Sequence, residues 1–476
     1  MNPYPNFIGG SYQSQSPWAD MERTINWYPE LIEPKQGQLA LYPTPGMRAF
    51  ATVPETETRA LFSMDNHTSG VVGAAFHELF ATGATTKRGD VAQDNNPATI
   101  TYNGAGGGEQ FVTSGGNGYL FDTSSHAFTQ VLTGTATMGA MLDGYFIAFE
   151  AATSTIRLSN LLDGTTWDPT QFAQRSIAPD PWRAMIVANR EIWLVGEQTG
   201  EVWYDAGAFP FPFAPVPGSV FAYGIRAPWS LKTVGPALMW LSQNAEGHLQ
   251  VVRAQGYAPQ VVSTRAVELA FSQYERTSTT ADAEALVYQD QGHVFYVLRF
   301  PSANATWVWD DTTQLWHERG RWNAFAMRFD AWRPRAHCLA FGSHLVGGAA
   351  TGTISVLDVT VGSEVDGTVI RRVRVAPGVR AADQRLFNAR FQLECEPGLG
   401  LASGQGVNPQ VMLRTSKDAG KTWSHERLAG AGLMGEYRRR VFWTRNGSGR
   451  IDGVEVSVSD PIPWRISQAY VGLKAA

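Results

Sequence analysis

Only two cysteines, Cys338 and Cys395, occur in 476 residues, far apart and in no CxxC pair. A disulfide framework is therefore not expected, and the count suits synthesis in a reducing compartment. No apolar run reaches about 18 residues, so no membrane-spanning helix and no stable membrane insertion are expected. The opening ten residues have neither a basic region nor an apolar core and do not read as a secretory signal. Charge is scarce: Asp, Glu, Lys and Arg make up 17% of the chain, against about 25% in ordinary soluble domains. The net charge is −5, and no basic tract resembles a nucleic-acid-binding arm. The densest cations are Arg371, Arg372 and Arg374, then Arg438, Arg439 and Arg440, which read as an ordinary exposed strand or loop.

The groupings that reactive chemistry needs are missing as well. Nine histidines are scattered; His337 and His344 are the closest pair, with no third ligand at metal-site spacing. No Gly-x-Ser-x-Gly elbow is present. Gly420-Lys421-Thr422 resembles the end of a phosphate loop, but position 415 is Thr where that loop needs Gly, and no helix pattern follows. The glycines of 104–108 precede a strand and join no strand to a helix, so they read as a plain loop. No catalytic residue, cofactor or metal ligand is expected from these patterns.

What is abundant is the material of β-structure. Aromatics reach 12%, with 16 Trp, 48 Gly and 26 Pro. From about residue 70 to 360 one unit recurs: apolar strand, Gly/Asn/Asp turn, apolar strand. Copies fall at 111–121, 145–158, 191–204, 237–253, 285–309 and 337–357, with a weaker one at 71–80. The turns carry residues that tolerate positive φ. Starts lie roughly 35 to 50 residues apart, the period of propeller blades. The expected fold is all-β: a β-propeller of six or seven blades with an extended N-terminal arm and a C-terminal β domain. The expected domains are 1–60 for a Pro-rich arm, 61–365 for the propeller, and 366–476 for a β domain. An irregular sandwich or several small β domains is the competing reading. Residues 263–274 read as one inserted helix, with Thr264 as cap and Val267, Phe271 and Tyr274 on one face.

The sharpest motif is Ser416-x-Asp418-x-Gly420-x-Thr422-Trp423, an Asp-box. Physically it is a hairpin staple: Asp caps turn amides, Gly takes the positive φ, and Trp packs beneath. A degenerate relative spans Ser159 and Asp163-Gly164-Thr165-Thr166-Trp167. Asp-boxes recur in sialidase-type propellers, so a glycan-binding or sialidase-like propeller is the alternative function. That chemistry needs an Arg trio, a Glu-activated Tyr and an acid. No spacing here selects such a set, and only one box is clean.

Long stretches carry a family resemblance. Residues 26–30 (Asn-Trp-Tyr-Pro-Glu), then 40–46 (Ala-Leu-Tyr-Pro-Thr-Pro-Gly), 187–204 around Trp193 and Trp203, 292–301, 306–307 and 316–319 occur in family order. The part from Gly398 through the Asp-box to Pro463 continues it. Over about nine-tenths of its length the chain resembles the packaged-DNA stabilisation (tail hub or nozzle) proteins of short-tailed double-stranded-DNA bacteriophages. It departs from the pattern over 438–453 and in its shorter loops. The resemblance implies a structural subunit of the virion tail, made in the host bacterial cytoplasm. Its copies would form a ring, six in number, below the portal and tail adaptor rings, extending and closing the DNA channel. Its implied partners are those rings, tail fibres or spikes, a tail tip or needle protein, and DNA through non-specific contact. The long polar or glycine-rich loops 93–108 and 398–406 are the expected gates.

Overall fold

The computed structural model describes residues 1–32, 38–175, 180–244, 246–381 and 384–475. Among them is one α-helix, Arg265–Thr277; nearly everything else regular is antiparallel strand. Turn chemistry explains why. In five blades the first two strands are joined by a pair of residues that both have positive φ: Asp65-Asn66, Asp143-Gly144, Asn189-Arg190, Gln291-Gly292 and Phe341-Gly342. Gly115-Gly116 does the same within the blade between. This backbone matches the natural twist of paired strands.

Five four-stranded sheets follow one another along the chain. They begin at Thr58–Met64, Thr99–Tyr102, Met138–Leu142, Trp182–Ala188 and Lys232–Val234. A sixth separate four-stranded sheet pairs Pro334–Ala340, Ser343–Gly348 and Thr353–Asp358 with Gly46–Thr52 from near the start of the chain. That strand borrowed across 300 residues closes the propeller ring. One further four-stranded unit, Glu284–Asp290 to Leu315–Glu318, completes the circle between them but is not separate. It is the first part of an eleven-stranded sheet. The expectation of six or seven blades is met in this way: six free sheets and a seventh that continues into the next domain.

The continuation is made by Met21–Ile25, which lies between Leu315–Glu318 of the propeller and Arg372–Val375. Beyond it run Ile451–Val458, Gln410–Ser416 and Arg427–Gly430. A second sheet, Trp27–Leu31, Leu39–Pro43, Ile466–Ala475, Leu386–Cys395 and Val441–Thr444, faces them. The two make a C-terminal β-sandwich, whose core includes Trp27, Leu41, Phe391, Leu413, Val456 and Trp464. The first 52 residues thus supply strands to both sandwich sheets and to the propeller.

One sequence reading changes here. Arg372 and Arg374 are fully buried, not exposed. Arg374 donates to the carbonyls of Asn6, Phe7 and Gly10, to Thr24 Oγ1, and to Glu22 at 3.0 Å. Arg372 donates to the Thr44 carbonyl at 3.2 Å. Alternation with Val373 and Val375 is the pattern of a half-buried strand, with the arginines on the polar side. The polar backbone of the N-terminal segment plays the part of water. Arg371 stacks on Trp322 at 4.6 Å and pairs with Glu426. The helix stands where 263–274 was expected: the Val267 amide donates to Thr264 Oγ1, and Val267 and Phe271 are buried.

Candidate functional site

The seven inner strands enclose a cavity of about 450 Å3 on the propeller axis, lined by Arg59, Ile100, Met138, Met185, Lys232 and Arg335, among others. That is the size of a small-molecule pocket; no DNA duplex passes through it. One end is pinned. Arg59 donates to the carbonyls of Ala92 and Asn96 and pairs with Asp94. Arg335 donates to the Asn95 carbonyl and pairs with Glu57 and Glu284. Glu284 also holds Arg299 at 2.5 Å. Burial lowers the pKa of Lys232, with Glu284 opposing that shift.

The two loops read as gates therefore differ in place. Residues 92–96 are held by those buried arginines, while 103–108 is a turn whose Glu109 accepts from Asn103 at 3.0 Å and from the Gly164 amide at 2.8 Å. Residues 398–406 are on the sandwich, where the Gly435 amide donates to the Gly398 carbonyl. None of 398–406 lines the axial cavity.

The Asp-box lies on the strand Gln410–Ser416 and the turn after it. Asp418 accepts from the Thr422 amide at 2.8 Å and from Thr422 Oγ1 at 2.6 Å. Ser416 Oγ accepts from the Gly420 amide at 2.8 Å, and Gly420 has φ of +82°. Trp423 takes the Arg414 guanidinium over its ring at 5.7 Å. The Thr422 bonds hold the Asp418 carboxyl down to about 2. Asp418→Ala is expected to cost about 1 kcal/mol, the size of a lost cap. Urea unfolding measures it.

The degenerate relative uses fewer bonds: Asp163 accepts from the Thr165 amide, and Trp167 Nε1 donates to the Gly164 carbonyl. His337 and His344 meet at 3.0 Å, Nε2 to Nδ1. Among the described residues no group of three His, Cys, Asp or Glu gathers as metal ligands. Cys338 is in the propeller and Cys395 in the sandwich; burial pushes both thiols up to about 12.

A polar bolt that the sequence reading missed joins the two domains. His293 Nδ1 lies 2.7 Å from Asp310, and Nε2 lies 2.7 Å from Glu30 on the sandwich strand Trp27–Leu31. A carboxylate on each ring nitrogen favours the imidazolium form, in which both nitrogens donate. Burial opposes that charge, yet the two hydrogen bonds prevail and the pKa is raised. His317 beside it is buried without such partners and is pushed down to about 3. No local sequence signal could reveal a bolt whose members are 263 residues apart.

Charge is also divided by domain. Residues 371–476 hold 17 Lys and Arg against 9 Asp and Glu, whereas 1–370 hold 21 against 34. The near-neutral total hides a basic C-terminal part, which makes up most of the sandwich, and an acidic remainder.

Comparison with known proteins settles the family. A model described as "Bacteriophage P22 Gp10, beta-propeller" matches residues 7–362, and "Bacteriophage P22 Gp10, beta-sandwich" matches 371–473. The chain belongs to the bacteriophage P22 Gp10 family. Both Gp10 modules, propeller and sandwich, are thus present in sequence and in structure. Members of the Gp10 family are structural proteins of the phage tail. No curated protein matches the chain. Solved structures resemble the chain only distantly. The N-terminal domain of Nup159 is 8% identical, covering 71% of this chain and 98% of that one, with a TM-score of 0.41. The extracellular domain of the putative hybrid two component system BT4673 from B. thetaiotaomicron is 9% identical, covering 86% and 57%, with a TM-score of 0.43. An exo-beta-1,3-galactanase from Phanerochaete chrysosporium is 7% identical, covering 90% and 100%, with a TM-score of 0.29. Likeness at this level carries no function to a Gp10 chain.

Proposed function

We propose that the protein is a non-catalytic subunit of the tail hub: a ring, six copies on the family expectation, that extends and closes the DNA channel below the portal and adaptor. It retains the packaged genome until ejection. Family membership over both modules carries this reading. Two features of the fold support it. The axial cavity of about 450 Å3 excludes duplex DNA, so the conduit lies between subunits and each propeller serves as a solid wall block. The shared sheet through Met21–Ile25 makes propeller and sandwich one unit that bears load. Fibres or spikes and a tail tip or needle are the outward partners in this reading. The Asp-box of Ser416, Asp418, Gly420, Thr422 and Trp423 is a structural turn in it.

Cryo-electron microscopy of tailed particles tests the location. Density that fits the propeller and sandwich in a ring below the adaptor is expected. Density only at a fibre tip would refute the hub assignment.

A further inference from the structure

Among the described residues the sandwich ends in an unpaired sheet edge, Val441–Thr444. Arg438, Arg439, Arg440 and Arg445 flank this strand and are exposed. None of them enters an ion pair among the described residues. Exposed apolar side chains stand with them: Leu428 (63% exposed), Met434 (61%) and Tyr437 (71%). A recess lined by Gly435, Tyr437, Arg438 and Arg439 opens between them. A charge or two protects an edge strand from stray pairing. Four arginines outside any ion pair, of which Arg439 donates to the Gly430 carbonyl, stand beside three large apolar groups; that goes beyond protection and describes a docking surface.

The complementary surface is in the same chain. Antiparallel strand order puts the turns 65–66, 103–108, 143–144, 161–162, 189–190 and 206–212 on one face of the propeller. The Leu162 amide bonding the Gly144 carbonyl, and Arg190 pairing with Asp143, tie neighbouring turns together there. Asp65, Asp143, Asp163, Glu191 and Asp205 lie on these turns or the adjoining strand ends, and Asp168 is exposed further along the strand Asp163–Gln174. Arg190 is the one Lys or Arg in those turns. Asp163 and Asp168 accept from the hydroxyls and then the amides of Thr165 and Thr170, which hold their carboxyls below the ordinary range. Leu161, Leu162 and Phe209 are exposed on the same face. The sandwich is joined to the blade at 284–318; the blade at 334–358 stands between that one and the blade carrying the turn 65–66, and the turns from 103 to 212 belong to the three blades beyond.

We propose that the basic, apolar edge of the sandwich docks on the acidic turn face of the propeller of a second copy, head to tail. The inference rests on the reading that copies stand side by side in the tail. Complementary charge selects and orients the pair, and the apolar groups on both faces are covered together. A phosphate backbone would match the arginines but leave Met434 and Tyr437 uncovered. Such a contact is heterologous, one surface meeting a different one, as a closed ring requires.

Sedimentation of the purified full chain tests this. Self-association is expected at low salt and is expected to weaken at least tenfold between about 0.05 and about 0.5 M salt. The triple change Arg438→Glu, Arg439→Glu, Arg440→Glu abolishes it. So does Asp168→Lys with Glu191→Lys. Mixing the two folded variants restores it, because each keeps the surface the other lacks. A monomer at every salt concentration overturns the proposal, as does association that neither reversal changes. Loss of duplex-DNA binding by the arginine variant, with self-association intact, overturns it in favour of a phosphate partner. If the interface fails here while heads lacking the chain still lose DNA, the retention role stands without this contact.

Discussion

Replacing Arg374 with Met is expected to lower the unfolding free energy by about 3–5 kcal/mol, the usual effect of removing one partner from a buried charged network. The guanidinium is fully buried and serves the carbonyls of Asn6, Phe7 and Gly10, Thr24 Oγ1 and the Glu22 carboxylate. Methionine fills the volume but leaves those acceptors dry and unpaired. The damage should begin locally. Tyr4 and Phe7, which pack edge-on against each other and contact Phe391, lose the tether that holds their backbone. Hydrogen exchange at residues 4–12 should rise before the propeller opens. A loss below about 1 kcal/mol in guanidinium unfolding would show that the N-terminal segment is held by its strands alone.

His293→Ala is expected to be of similar size, about 3–5 kcal/mol, because it strands Asp310 as a buried charge. Asp310 is fully buried and keeps only the Thr312 amide and Thr313 Oγ1 as donors. The change also removes the bond to Glu30, and with it a tie between propeller and sandwich. The native protein should show the pH signature of this bolt. The folded pKa of His293 is raised, so its stabilisation is full below the unfolded value of about 6.5 and is lost as pH rises through the higher folded value. The charged or titratable groups around it are Asp310, Glu30, Tyr28 and His317, and His317 stays neutral throughout that range. Stability measured from about pH 6 to 9 should therefore fall in the native chain. In the variant this component should be flat. An equal slope in both would locate the titration elsewhere.

Period and turn chemistry were legible in the sequence wherever the structure is local. Hairpins at Gly115-Gly116 and Gln291-Gly292, the helix capped by Thr264, and the Asp-box turn are all short-range devices written in consecutive residues. Long-range pairings were not legible. Nothing within Gly46–Thr52 announces that it closes a blade with Thr353–Asp358, and nothing within Met21–Ile25 announces a strand shared by two domains. Arg372 and Arg374 misled for the same reason: a buried arginine looks exposed until the distant carbonyls that receive it are known. The division of charge between propeller and sandwich was present in the residue counts, but it becomes visible only when the chain is cut at the domain border.

Deleting the gene from the phage that encodes it, and measuring nuclease-protected DNA in the heads, tests directly whether this chain holds packaged DNA inside the head. Heads that fill and then lose their DNA, with retention restored by the wild-type chain in trans, are the expected result. Heads that keep their DNA and fail only at adsorption would contradict the account and make the protein a peripheral receptor-binding or glycan-processing part.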